Sequence, residues 1–276
     1  MKDVEQTGAD DLELNFSCPH GMSERGMGSA VGQKPNLVEI LTAWVKEVAE
    51  LPVMVKLTPN IIHIRQPAFA AKQGGADALA MINTVKNMAG VDNDNFVPFP
   101  QVGLLSTTGG LSGQMIKPIA WNMVKNCAKE VGLPISGIGG IENWNDAVEF
   151  FLLGAAMVQI CTGVMKRGFG LIHQLISGLM SYMSDKGFGK ISDFSGKALV
   201  NITEWENLDL SYKVVALINS GSCIGCRQCF IVCNDGGYQA IQLKEIDGQI
   251  IPVIIEENCT GCISALCFVR LKNALQ

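Results

Sequence analysis

The stretch PVMVKLT, residues 52–58, has the length and apolar composition of a buried parallel strand, and a proline opens it. Four further short apolar runs share these features and lie at residues 11–17, 77–84, 134–139 and 156–162. Stretches with helical periodicity separate the runs, and a closing helix follows the last one; these stretches are residues 35–49, 61–73, 116–131, 143–153 and 169–186. Repeated alternation of strand and helix predicts a parallel α/β fold.

Two parallel architectures fit this alternation, the (β/α)8 TIM barrel and the open doubly wound sheet. Polar, glycine or cysteine residues follow all five runs. A barrel places every strand end on one rim, whereas a doubly wound sheet uses mainly those at its switch point. We therefore predict a partial TIM barrel of about five βα units over residues 1–200 and expect about three further units before Met1.

Composition and charge narrow the class of protein. The chain has 276 residues, 48% hydrophobic and 17% charged, so it can bury a core. Its net charge is −5 and no Lys/Arg cluster occurs, which argues against nucleic-acid binding. A signal-peptide pattern does not follow Met1, and the longest uncharged stretch, residues 95–116, is broken by Pro98, Pro100 and four glycines. We expect a cytoplasmic protein without membrane segments.

Cysteines crowd the C-terminal segment: seven of the ten lie in the last 54 residues. The spacing Cys223-x2-Cys226-x2-Cys229-x3-Cys233 is typical of a 4Fe-4S cluster, whose fourth cysteine serves a second cluster. Zinc is the alternative, but a zinc ribbon uses two cysteine pairs. We predict a linker over residues 201–218 and an α+β ferredoxin-like iron–sulfur domain over 219–276.

The second cysteine motif is irregular. Cys259-x2-Cys262 is followed by Cys267, where a regular copy would have cysteines at 265 and 269. Crossed ligation then gives two sets of ligands. The first set has four thiolates, Cys223, Cys226, Cys229 and Cys267, and the second has three, Cys233, Cys259 and Cys262. We predict one complete 4Fe-4S cluster and a second that is labile, three-iron or absent.

Five motifs ahead of this segment carry a family resemblance: NFSCPHGM at 15–22, KLTPN at 56–60, INT at 82–84, SGIGGI at 136–141 and VQICTGV at 158–164. Together with the cysteine segment they resemble dihydropyrimidine dehydrogenases, most closely the FMN and iron–sulfur subunit of the bacterial NAD-dependent type. The resemblance covers essentially the whole chain. It implies a barrel like that of dihydroorotate dehydrogenases, which lack the appended ferredoxin segment.

The resemblance also implies an activity, the reversible reduction of the 5,6 double bond of uracil or thymine. Flavin delivers a hydride and Cys18 resembles the general acid. The resemblance assigns substrate binding to Asn15, Ser17, Asn83 and Thr84. It assigns FMN contacts to Lys56, Ser112, Gly113, Gly139, Gly140, Cys161 and Thr162. On bare sequence, a buried structural role for Cys18, a salt bridge for Lys56 and a polar turn at 83–84 are the alternatives.

We expect the electrons that reduce the flavin to come from a second protein. No G-x-G-x-x-G motif follows a strand, so we expect NADH to bind an FAD-carrying partner subunit that reduces FMN through the clusters. This predicts a hetero-oligomer. Two other functions stay open: a dihydroorotate-type dehydrogenase, and a truncated electron-transfer fragment without catalysis.

Overall fold

A computed structural model describes residues 2–20, 25–209, 214–219, 221, 223–246 and 248–262. The chain divides into two compact units, Met1–Ile202 and Thr203–Gln276. We call them the barrel unit and the cysteine unit. Val215, Ala216 and Ile218, in the stretch that the sequence assigns to a linker, pack against the core of the cysteine unit because their apolar side chains find cover there.

A five-stranded parallel sheet forms the centre of the barrel unit. Its strands are β1 (Leu12–Asn15), β2 (Val53–Lys56), β3 (Ala78–Met81), β10 (Ile135–Ile138) and β11 (Met157–Gln159). The spatial order is β1-β2-β3-β10-β11, which follows the chain without a reversal. A doubly wound sheet reverses at its switch point. The parallel α/β prediction is confirmed, and the strand order is that of a barrel.

Register aligns the carboxyl ends of the strands. Asn15 pairs with Lys56, Lys56 with Ala80, and Ile138 with Gln159. Val53, Met54 and Val55 are all buried, which is why the sequence of β2 lacks a polar alternation. The residues that follow these strands therefore meet at one edge of the sheet.

Helices connect the strands of the barrel unit. They are α1 (Lys2–Glu5), α2 (Ser29–Gly32), α3 (Pro35–Lys46), α4 (Arg65–Gln73), α5 (Lys117–Glu130), α6 (Trp144–Leu152), α7 (Thr162–Arg167) and α8 (Gly170–Lys186). Pro35 begins α3 and Gly187, with φ of 71°, ends α8. The helix predicted from residue 61 begins at Arg65, because Pro67 is tolerated only in a first turn.

Short antiparallel pairs fill the segment between β3 and α5. Their strands are β4 (Val85–Asn87), β5 (Gly90–Val91), β6 (Pro98–Phe99), β7 (Gln101–Val102), β8 (Leu105–Ser106) and β9 (Gly109–Leu111). β4 pairs with β9, β5 with β6 and β7 with β8. The β4–β9 pair brings the chain back to the sheet edge just before residues 112–113.

The cysteine unit has one helix and one hairpin in its described part. These are α9 (Gln228–Asp235), β12 (Ile241–Ile246) and β13 (Gln249–Ile254). Single 3-10 turns occur in both units at Gln114–Ile116, Ile191–Asp193, Leu199–Asn201, Trp205–Asn207 and Glu256–Asn258. Among the described residues, no helix is both long and apolar enough to cross a bilayer.

Candidate functional site

A cavity of about 550 Å³ lies where the five strands end. This volume falls within the range of small-molecule sites, about 300–1,000 Å³. All seven residues that the sequence assigns to the cofactor line it: Lys56, Ser112, Gly113, Gly139, Gly140, Cys161 and Thr162. Asn83, Thr84 and His20 line it as well. Segments far apart in sequence thus meet at one cavity.

Asn15, Ser17, Asn83 and Thr84 form what we call the polar corner. Asn15 Oδ1 accepts hydrogen bonds from the Ser17 hydroxyl at 2.6 Å and from the Asn83 amide at 3.3 Å. The same Asn83 amide donates to Ser17 Oγ at 3.0 Å. Ser17 is 0% exposed and does not line the cavity, so its hydroxyl orients the two amides from behind.

One polar atom of this corner is unsatisfied. Thr84 Oγ1 is buried and has no hydrogen-bond partner within the described residues, although Thr84 lines the cavity. Leaving a buried hydroxyl unpaired costs about 1–3 kcal/mol. The hydroxyl faces Gly110, where a Cβ would lie 2.3 Å from it, so a ligand in the cavity would reach this hydroxyl only if the Thr84 side chain turned.

Cys18 follows β1 and lies next to the cavity lining. Its Sγ is 3.6 Å from His20 Nδ1, and the thiol also donates to the His20 carbonyl at 3.6 Å. His20 lines the cavity, whereas Cys18 does not. Gly28 has φ of +55°, and a Cβ there would come within 2.7 Å of the Cys18 carbonyl oxygen. The start of α2 therefore closes against the backbone of Cys18, which makes Gly28 difficult to replace.

Lys56 lies at the end of β2 with its ammonium group inside the sheet's carboxyl edge. Its Nζ donates to Glu13 Oε1 at 2.8 Å and to Gln159 Oε1 at 3.2 Å. Gln159 Nε2 in turn donates to Glu13 Oε2 at 2.6 Å. The salt bridge to a neighbouring strand, which the sequence left as an alternative, is therefore present. Lys56 lines the cavity at the same time, so both roles are open to it.

Gly113, Gly139 and Gly140 form what we call the glycine wall. Their φ angles are +82°, +136° and +78°, in the region that favours glycine. A Cβ on Gly140 would lie 2.8 Å from the Gly113 carbonyl oxygen, so the two turns are in backbone contact. Thr162 Oγ1 donates to Ser112 Oγ at 3.0 Å and joins the start of α7 to this wall. Bare backbone here suits close approach of a phosphate.

Two cations that sequence reasoning missed lie beside the wall. Lys166 Nζ pairs with Glu142 Oε1 at 2.9 Å, and Arg167 Nη1 donates to the Glu142 carbonyl at 3.3 Å. Lys166 Nζ would be 3.5 Å from a Cβ on Gly113. The signal was the Lys-Arg pair four residues after Thr162. Positive charge near the wall favours an anionic ligand.

Asp146 in α6 was also missed. Burial would raise the pKa of its carboxyl, but the hydrogen bonds from Lys117 and from the Glu142 backbone outweigh burial and lower it. The same ion pair raises the pKa of Lys117 in spite of that side chain's burial. The sequence signal was Asn143 followed three residues later by an acid, which is a capping-box pattern.

Together these features fit FMN. The cavity volume, the glycine wall with its adjacent cations and the Asn83 amide in the lining match a ligand that has a phosphate at one end and a polar ring at the other. Lys56, Asn83 and Thr84 would meet the ring, and residues 112–113, 139–140 and 161–162 the phosphate.

The cysteine unit presents thiols from one loop and one helix. Burial raises the pKa of the Cys229 thiol, and the charges of Cys223 and Cys226 raise it further. The Gly225 amide donates to Cys223 Sγ at 3.5 Å. Binding iron would therefore have to displace the proton of Cys229.

A second pair of thiols lies in the small core of this unit. Cys233 and Cys259 are buried in the same cluster and accept hydrogen bonds at 3.3 Å from the Ala240 and Ala216 amides. Amide donors to sulfur are a means of tuning iron–sulfur clusters. In the described part, no three His, Cys, Asp or Glu side chains are already arranged around a metal position. Cys262 is partly buried, and Cys267 lies outside the described residues.

Known proteins resemble both units. Residues 1–183 match the family described as dihydroorotate dehydrogenase, and residues 216–269 match the 4Fe-4S dicluster domain. The second match confirms iron–sulfur rather than zinc, and the first family binds FMN. Whether the second cluster is incomplete in this chain stays a prediction.

Three relatives represent two activities. The NAD-dependent dihydropyrimidine dehydrogenase subunit PreA of Escherichia coli is 45% identical over 245 residues, 88% of this chain and 59% of that protein. The chloroplastic dihydropyrimidine dehydrogenase (NADP(+)) of Arabidopsis thaliana is 43% identical over 211 residues, 74% and 50% of the two chains. The dihydroorotate dehydrogenase B (NAD(+)) catalytic subunit of Pyrococcus horikoshii is 45% identical over 192 residues, 69% and 60%.

The chain thus spans between 50% and 60% of the length of these three curated relatives. The expected resemblance to dihydropyrimidine dehydrogenases is confirmed as a similarity of sequence. Because the family match covers residues 1–183 of 276, the chain belongs to the dihydroorotate dehydrogenase family of flavoproteins.

Proposed function

We propose that this chain is the FMN- and iron–sulfur-binding catalytic part of an NAD-dependent dihydropyrimidine dehydrogenase. One observation favours this function over that of a dihydroorotate dehydrogenase. The similarity to the Escherichia coli subunit spans 245 residues, more than the 202 of the barrel unit, so it extends into the cysteine unit. The aligned region of that relative therefore covers parts of both units.

The substrate would be uracil or thymine. Reduction adds two electrons and two protons across the 5,6 double bond: a hydride at C6 and a proton at C5. Bound FMN supplies hydride chemistry. The amides of Asn83, which lines the cavity, and of Asn15, which is hydrogen-bonded to it, would offer the donors and acceptors that a pyrimidine's alternating carbonyl and N–H edge needs. The Thr84 hydroxyl would join them if its side chain turned away from Gly110.

Cys18 would deliver the proton to C5. Its thiol lies 3.6 Å from His20 Nδ1, and His20 lines the cavity, so a short movement of residues 18–20 would bring the thiol to the substrate. His20 would exchange protons with Cys18 between turnovers. Lys56, held by Glu13 and Gln159, would place a positive charge beside the ring of the flavin.

The electrons would arrive from a partner subunit that carries FAD and the NADH site. Cys223, Cys226 and Cys229, with Cys267, would hold the complete cluster. Cys233, Cys259 and Cys262 would hold the incomplete one. A hetero-oligomer of this kind explains why the chain combines a flavin cavity with iron–sulfur ligands.

Anaerobic single-turnover mixing tests the proposal. The chain is reconstituted with FMN, iron and sulfide, photoreduced, and mixed with uracil, thymine or orotate while flavin absorbance is followed and products are identified by mass spectrometry. We expect uracil and thymine to reoxidise the flavin and yield the dihydro products. Reoxidation by orotate alone would instead identify a dihydroorotate dehydrogenase, which the 45% identity to the Pyrococcus subunit keeps as the second candidate. A reconstituted chain without bound FMN would refute catalysis by this polypeptide.

A further inference from the structure

Asp146 connects the two halves of the glycine wall, Gly113 on one side and Gly139 and Gly140 on the other, which are separate in sequence. Its side chain is 3% exposed. One oxygen forms a salt bridge with Lys117. The other accepts hydrogen bonds from Gln114 Nε2 at 3.0 Å and from the backbone amides of Glu142 and Asn143 at 2.8 and 3.0 Å.

These partners belong to the two halves of the glycine wall. Gln114 follows Gly113 directly, in the 3-10 turn that leads into α5, and Lys117 begins α5. Glu142 and Asn143 follow Gly139 and Gly140 within three residues. The halves touch, because a Cβ on Gly140 would lie 3.2 Å from the Gln114 Cα. Asp146 thus holds both segments at the point where their backbones meet.

Helix capping explains only part of this arrangement. Asp146 and Asn143 form a capping box at the start of α6, which satisfies free backbone amides of the first turn. The bonds from Gln114 and Lys117 come from the 3-10 turn before α5 and from the start of α5, and they add nothing to the cap. They involve a nearly buried carboxylate, and hydrogen bonds to charged groups are stronger than those between neutral groups. Several of the hydrogen bonds that Asp146 accepts therefore connect the start of α5 to the turn before α6.

We propose that Asp146 is a positioning residue that fixes the turn at 112–113 against the turn at 139–140 so that their backbone binds the phosphate of the ligand. The inference rests on the proposed FMN site. Displacement of a binding group by about 1 Å can cost up to about a hundredfold in function. Loss of the Asp146 contacts should therefore weaken recognition of the phosphate more than recognition of the ring at the polar corner.

Comparison of FMN with riboflavin, which has no phosphate, tests this role. The Asp146→Asn variant should bind FMN about tenfold more weakly than the wild-type chain, and its affinity for riboflavin should change by less than about threefold. Flavin fluorescence quenching gives both dissociation constants. Equal loss of affinity for the two flavins would overturn the proposal, because a general structural defect has no preference for the phosphate.

Asp77→Asn is the matched control. Asp77 also accepts hydrogen bonds from a lysine and a backbone amide, those of Lys46 and Val53, both at 2.7 Å. It lies just before β3 and does not line the cavity. We expect this variant to leave the ratio of FMN to riboflavin affinity unchanged. A ratio that falls as far as in Asp146→Asn would also overturn the proposal. If Asp146→Asn does not fold, Gln114→Leu removes one bond between the walls and leaves the cap, and its ratio should fall by about threefold.

Hydrogen exchange separates this inference from the proposed function. In the absence of flavin, the backbone amides of residues 112–117 and 139–143 should exchange faster in Asp146→Asn than in wild type. Unchanged exchange there would refute the claim that Asp146 holds the two segments together. A wild-type chain that binds no FMN would refute the proposed cofactor, while the exchange data would still decide whether Asp146 joins the walls.

Discussion

The barrel unit and the cysteine unit build their sites in opposite ways. The barrel unit buries a continuous apolar core under five strands, with Phe150, Leu57, Leu79 and Met81 at 0% exposure. In the described part of the cysteine unit, the buried core consists of Cys229, Cys233, Cys259, Ala240 and Ile241. Three of these five are expected iron ligands, so the groups that would bind the clusters also supply most of the core.

The two units therefore differ in what holds their site residues in place. In the barrel unit, packing and hydrogen bonds place the cavity residues without a ligand. In the cysteine unit, metal binding and folding should be coupled, because small domains with few buried apolar groups depend on metals or cross-links.

The largest effect should come from Cys18→Ala. Loss of a general acid typically slows a reaction by about 10²–10⁴-fold, so turnover of uracil should nearly vanish. FMN content and the iron–sulfur spectrum should be unchanged, since Cys18 is outside the cysteine unit and does not line the cavity. Cys127→Ala is the control: burial raises the pKa of the Cys127 thiol to about 12, and its loss should spare turnover. Full activity of Cys18→Ala would exclude the acid role.

Cys226→Ala should interrupt electron delivery and spare the flavin. The complete cluster would lose one of its four thiolates. We expect reduction of FMN by NADH through the partner subunit to be largely lost, because the electrons would have to pass through this cluster. Direct reduction of FMN by dithionite, followed by absorbance, should proceed at the wild-type rate. A slower dithionite reaction would mean that the two units are not independent.

Removal of iron tests the coupled folding directly. After anaerobic chelation, β12 and β13 should lose hydrogen-exchange protection because the core of the cysteine unit includes the metal ligands. Strands β1, β2 and β3 should keep theirs. Persistent protection of the hairpin in the iron-free chain would show that its few apolar residues suffice.

The smallest effect should appear in acid. The pKa of Asp146 lies below its ordinary value of 3.8 in the folded chain. Its contribution to stability is therefore complete above pH 3.8 and is lost as the pH falls through the lower, folded-state pKa. The difference in unfolding free energy between wild type and Asp146→Asn should be about 2 kcal/mol at neutral pH and shrink below pH 4. Urea unfolding, followed by fluorescence of Trp44, Trp121 and Trp144 in the barrel unit, measures it; a gap that is constant with pH would contradict the assignment.

Much of the barrel unit was predictable because its signals are local. Apolar runs placed all five strands, and Pro35 placed the start of α3. The predicted site residues supply half of the cavity lining, because parallel strands carry their ends to one edge. Ser17 shows the limit of this reasoning: its sequence position suggested a ligand contact, and the structure buries it behind two asparagines.

By itself, the sequence determined the alternation of strands and helices, the glycines of the cavity wall and the spacing of the cysteines. Each follows from short-range chemistry: apolar periodicity, backbone freedom and ligand spacing. Only the tertiary structure decided that Lys56 pairs with Glu13 and Gln159, and that Asp146 joins α5 to the turn before α6. Those contacts span as many as 103 residues, and they exist because the packing of strands brings buried charges to the partners they require.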